Sequence, residues 1–160
     1  MTEIENEPIV RFFLELQKVK DDHRSLVLVT NDVLELFIET LIKARCKNAK
    51  RITGDSRSYP YSAKLLLLNE SGVLDDAWYA PLDMFRKLRN RAAHEPFFSV
   101  TAADLRHLTN ERLSNPEDLP NLCSDILAGF WNAHLEVFGP VFAPKVVGAG
   151  DDQPTVEGTA

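Results

Sequence analysis

The residues of this chain best suited to chemistry lie in one run, Phe85-Arg86-Lys87-Leu88-Arg89-Asn90-Arg91-Ala92-Ala93-His94-Glu95-Pro96. Four cations, Arg86, Lys87, Arg89 and Arg91, precede a histidine there. A guanidinium grips a phosphate through its two-pronged fork. A histidine titrating near neutrality moves a proton to or from a ribose 2′-hydroxyl or a leaving oxygen. Arg89 and His94 together suffice in principle for metal-free RNA cleavage. The same residues also suit a plain helix end: cations in a last turn complement the helix dipole, and His94 can cap carbonyls. On an ideal helix Arg89 and His94 stand about 140° apart. They converge only through long side chains, a distorted helix end or a dimer axis.

A second basic cluster is Lys43, Arg45, Lys47, Lys50, Arg51 and Arg57. With Arg86 and Arg91 it forms the candidate nucleic-acid-binding set. It has few interleaved aromatic residues, so it suits phosphate contact rather than base stacking. A solvated helix end and loop is the plainer reading. The chain carries a net charge of −6, yet residues 43–91 hold eleven Lys/Arg against five Asp/Glu. The middle is therefore basic between acidic ends, which permits an anionic ligand locally. Asn31, Glu35 and Glu39 recur at i, i+4 and i+8; they read as a solvent face, or, turned inward, as partners for the arginines. His134 falls among apolar residues and reads as a satisfied, partly buried histidine. No glycine-rich phosphate loop, His-x-x-x-His pair, nucleophile signature or cysteine cluster occurs, so neither cofactor nor metal is expected.

These residues need elements to hold them, and the apolar spacing is helical almost throughout. Pro8 to Lys20 carries a stripe of Ile9, Phe12, Phe13, Leu16 and Val19. Asp22 to Lys47 is the longest stretch and the expected central helix. Residues 48–58 read as a polar, turn-rich loop. A short helix follows, capped by Ser58, with Pro60 in its first turn and Gly72 at its left-handed end. Asp75 or Asp76 opens the next, which Pro81 restarts or kinks and Pro96 closes. Thr101 to Asp104 resembles a capping box that starts a helix to about Leu113. The last helix begins at Asn115-Pro116 and stops at Gly139-Pro140.

These elements predict an all-α, single-domain bundle of about five to six helices over residues 1–144, with a disordered acidic tail over 145–160. A chain of 160 residues can bury one substantial core. No apolar run approaches the roughly 18 residues needed to cross a bilayer. The N-terminus is acidic and has no apolar signal-peptide region. Cys46 and Cys123 are too few for a disulfide framework and read as reduced thiols, so a cytoplasmic location is expected.

Two blocks carry a family resemblance. Tyr61-Ser62-Ala63-Lys64-Leu65 through Gly72-Val73-Leu74, followed by Phe85 to His94, resembles the mannitol-operon-repressor-like proteins and their bacterial relatives. The Arg-Asn-x-x-x-His core is also similar to the signature of HEPN domains (higher eukaryotes and prokaryotes nucleotide-binding). The resemblance spans roughly residues 22–96; Ser71 stands where the family often has leucine, and residues 97–144 carry no likeness. It implies a helical bundle, usually a homodimer, in which the arginine and histidine of two protomers form one composite site. By that match Arg89 steadies a phosphate, His94 is the acid/base and Asn90 orients one of them. Many such domains are non-catalytic. The expected function is a non-catalytic dimeric regulatory or interaction module, similar to mannitol-repressor-like transcriptional co-regulators, with a protein or RNA partner and no recognisable DNA-reading element. The alternative is a metal-independent HEPN-type ribonuclease using Arg89, Asn90 and His94.

Overall fold

The computed structural model describes residues 7–109 and 112–143; the expected tail, 145–160, lies outside them. The described residues are all helical, with no strand. The order is α1 (Pro8–Val19), α2 (His23–Arg45), α3 (Ala49–Gly54), α4 (Tyr61–Glu70), α5 (Asp76–His94), α6 (Ala102–Thr109), a 3-10 turn at Pro116–Asp118, α7 (Leu119–Ala133) and α8 (Leu135–Phe142).

Local chemistry sets most helix ends. The Asp22 carboxylate accepts from the Arg24 N–H at 3.1 Å and opens α2. Asp75 does the same for Trp78 at 3.0 Å and opens α5. At α6 the box is reciprocal: the Thr101 N–H donates to the Asp104 carboxylate at 2.8 Å, and the Asp104 N–H donates to the Thr101 hydroxyl at 3.2 Å. Gly72 ends α4 with φ 73°, where a side chain is strained. Its N–H bonds the Asn69 carbonyl at 2.9 Å, and the Val73 N–H bonds that of Leu68 at 3.0 Å, which completes a Schellman end.

The eight α-helices among the described residues exceed the five to six expected, for two physical reasons. The polar stretch 48–58 contributes α3 because Ile52 is buried against α2, and that burial outweighs weak helix propensity. The final helix divides at His134, whose backbone leaves helical geometry at φ −128° and ψ 32°. Pro140, expected to end the chain's last helix, sits inside α8, which runs on to bury Phe142. Ser58 does not cap α4; its N–H donates to Asp55 within the loop, and Pro60 holds the cap position.

The core is built around α2, which packs against α1, α3, α4, α5, α7 and α8. Leu26, Leu34, Phe37, Ile38, Leu41 and Ile42 on this helix are fully buried. Phe37 is the hub of an aromatic cluster. It stacks on Phe138 at 4.6 Å between centroids and meets Phe12 edge-on at 5.8 Å and Phe142 at 5.6 Å. Phe130 and Trp131 of α7 approach it at 6.3 and 6.0 Å, so four helices, α1, α2, α7 and α8, converge on one ring. The opposite flank of α2, toward α4 and α5, is where polar residues enter the interior.

Candidate polar pocket beside Arg89

The row Asn31, Glu35 and Glu39 does not face solvent. Asn31 is 2% exposed, and the Glu39 carboxylate accepts from the Lys64 ammonium at 2.6 Å. The Lys64 side chain is itself only 3% exposed. α2 is enclosed by other helices on nearly every side, so even its polar row must pack. The expectation of a solvent face is corrected accordingly.

The Lys64–Glu39 pair fixes α4 against α2 and so brings the start of α4 to a pocket of about 310 Å³. Asn31 and Glu35 of α2 form one wall, and Arg86, Arg89 and Asn90 of α5 form another. Ser56, Pro60, Tyr61 and Ser62 close it. α4 begins here without a side-chain cap, so its first N–H groups are free to meet a ligand. Arg86 is partly committed, held by the Asp83 carboxylate at 2.9 Å. Arg89 makes no ion pair or side-chain hydrogen bond among the described residues.

Three lining residues each keep a buried polar atom without a protein partner: Asn31 Oδ1, the Tyr61 hydroxyl and Arg89 Nε. Burial, and then the negative charge of Glu35, push the Tyr61 phenol well above its ordinary range. It is therefore a neutral donor across the physiological range. Buried polar groups are almost always paired, so three unpaired ones on the residues around one cavity mark it as a candidate place for a ligand.

The other expected site residues separate into different surroundings. His94 is exposed at the end of α5 and does not line the Arg89 pocket. Nor does it cap α5: the Arg24 guanidinium takes that role, donating to the carbonyls of Ala92 and Glu95 at 2.7 Å and of Pro96 at 3.0 Å. Arg91 turns away to the Asp104 carboxylate at 2.7 Å and to Glu95 at 3.2 Å, with its guanidinium 5.8 Å from the Phe98 ring centre. Lys43, Lys47, Lys50 and Arg51 gather along an open groove at the α2–α3 corner. Arg45 pairs loosely with Glu136 at 3.3 Å, and Arg57 is exposed in the loop before α4. The candidate nucleic-acid set is thus divided between the α2–α3 groove, the loop before α4 and the ion pairs of Arg45, Arg86 and Arg91.

The sequence assigned no site role to Tyr61, Ser62 or Ser56, and it left Asn31 and Glu35 as a solvent face or as inward partners for the arginines; the inward placement is the observed one. A usable signal was an asparagine four residues from a glutamate on a helix otherwise built for burial. His134 is half-buried as expected but not satisfied: its Nε2 has no partner, it meets Phe130 edge-on at 4.9 Å, and burial lowers its pKa.

The Arg91–Asp104 contact is structural and testable by pH. Burial opposes ionisation of Asp104, but hydrogen bonds from Thr101 and Arg91 outweigh it and hold the carboxyl below its usual range. A carboxyl depressed in the folded state stabilises above its unfolded pKa, about 3.9, and that gain is lost as pH falls through the folded value. Asp104→Asn should cost about 1–2 kcal/mol near neutrality, from a weakened cap and a lost charged hydrogen bond. In urea melts the gap between variant and wild type should close below about pH 4. A gap unchanged from pH 7 to pH 3 would remove the ionic role.

Among the described residues no group of His, Cys, Asp or Glu is arranged to hold a metal ion, and no helix is long and apolar enough to cross a membrane. No family model, curated protein or solved structure matches this chain, so its pocket must be read from its own residues.

Proposed function

We propose that this chain is a non-catalytic regulatory and interaction module, similar to the mannitol-operon-repressor-like proteins, that works as a homodimer and uses the Arg89 pocket for recognition. The observation that carries this reading is the separation of Arg89 from His94. Arg89 lines a cavity of hydrogen-bonding side chains, while His94 is exposed beyond it. A recognition site needs the first arrangement and makes no use of the second. Apolar side chains left at the surface of the first and last helices, Leu14 at 42%, Leu135 at 51% and Val141 at 56% exposure, support association. Sedimentation of the purified chain should give twice the monomer mass; a monomer at all concentrations would remove the dimer from this reading.

A metal-independent ribonuclease of HEPN type is the second reading. It draws on the unpaired Nε of Arg89 as a phosphate ligand, and it requires His94 of a second protomer to reach the Arg89 pocket. RNA cleavage in EDTA, wild type beside His94→Ala, separates the two. The regulatory reading expects no cleavage of diverse RNAs by the wild type. Cleavage leaving 2′,3′-cyclic phosphate ends, abolished in a folded His94→Ala protein, would replace it with the nuclease.

A further inference from the structure

We infer that the pocket between α2, α4 and α5 binds a small amphoteric molecule of the α-amino-acid class, its carboxylate held by Arg89 and the start of α4 and its ammonium held by Glu35 and Asn31. This deepens the regulatory reading by naming the ligand class to which the module responds.

The unpaired groups define what a ligand must supply. Arg89 Nε and the Tyr61 hydroxyl are buried donors without a protein acceptor. Both want an oxygen, and the guanidinium wants an anionic one. The uncapped first turn of α4, at Tyr61 and Ser62, lines the same cavity and adds the positive end of a ten-residue helix. An anion therefore belongs at this end. Asn31 Oδ1 requires the reverse: it is a buried acceptor without a donor. Glu35, four residues on along α2, lines the pocket beside it and forms no ion pair among the described residues. One cavity thus holds both unmet cationic and unmet anionic groups.

A simple anion satisfies only half of this. A phosphate dianion or an RNA backbone would gain from Arg89 but would suffer repulsion from Glu35 in a partly desolvated site. A zwitterion meets both sets and leaves neither unpaired. The volume, about 310 Å³, lies at the small end of the range for small-molecule sites, roughly 300–1,000 Å³.

The test uses the full chain and calorimetric titration with each of the twenty common amino acids. The controls are the matching methyl esters, the matching acids without an amine, and inorganic phosphate. At least one amino acid should bind saturably at or below millimolar concentration, with its ester and its deaminated analogue at least about tenfold weaker. Glu35→Gln should weaken the amino acid by about tenfold or more and spare or strengthen phosphate. Arg89→Met should abolish binding of both, and circular dichroism confirms that each variant is folded. No binding by any amino acid up to about 10 mM would overturn the proposal. So would binding unchanged in Glu35→Gln, or phosphate binding tightly while no amino acid does. Those failures leave the RNA-cleavage result untouched, so the ligand class and the non-catalytic reading fall separately.

Discussion

Replacing Phe37 with alanine should cost about 3–5 kcal/mol of folding free energy, the range for truncating a buried aromatic side chain. Phe37 is 0% exposed and touches rings from three other helices, so the void cannot close by moving one neighbour. Phe12 comes from α1, Phe130 and Trp131 from α7, and Phe138 and Phe142 from α8. α1 and α8 are short outer elements that lean on α2 and on each other, Phe12 meeting Phe142 edge-on at 5.6 Å. The loss should therefore appear first as loosening of α1 and α8, ahead of the α2–α4–α5 unit. Urea melts give the magnitude, and amide hydrogen exchange gives the order of opening. A cost under about 1 kcal/mol would mean that the aromatic cluster is not the keystone of the fold. Phe37→Leu, which keeps much of the volume, should recover more than half of the loss.

The second large effect concerns charge. Glu39→Leu should destabilise the chain by about 3–5 kcal/mol, because it strands the Lys64 ammonium in the interior without its carboxylate. The Lys64 side chain is 3% exposed, and its 2.6 Å contact with Glu39 is the one ion pair it makes among the described residues. Solvent has little access to rescue it. The double change Glu39→Leu with Lys64→Met should return stability to wild type or slightly above it, since matched apolar packing replaces a costly pair of desolvated charges. The coupling in such a cycle should be strongly favourable and insensitive to salt, unlike that of a surface pair. Additive single effects would show that the pair is solvated and that it does not tie α4 to α2. The consequence reaches the pocket: Lys64 lies three residues after Tyr61, one turn along α4. The pair therefore sets where Tyr61 and Ser62 stand. The double variant should fold yet bind the pocket's ligand less well, because a methionine–leucine contact holds the helix without a fixed direction.

Much of the fold was legible because short-range chemistry decides helix ends. Asp22, Asp75 and the Thr101–Asp104 box act within three residues of themselves, and Gly72 acts through its own backbone. The helical class followed from apolar spacing, and the central place of α2 from the length of its stripe. The α3 turn and the break at His134 were not legible, since both answer to burial: Ile52 is buried by folding back on the preceding α2, and Phe142 against Phe12 and Phe37 far away in sequence.

The pocket divides in the same way. The sequence by itself determined that Arg89 and Asn90 follow Arg86 along one helix, and that a polar row of Asn31, Glu35 and Glu39 runs along another. It could not say that the two helices face each other, because period and composition are identical for a polar row in water and a polar row against a neighbour. Only the tertiary structure decided that Lys64 would be buried on Glu39, that Arg24 rather than His94 would cap α5, and that Arg89 would be left unpaired beside Glu35. Each of those outcomes depends on which distant group arrives first at a buried charge, and that competition exists only once the helices have packed.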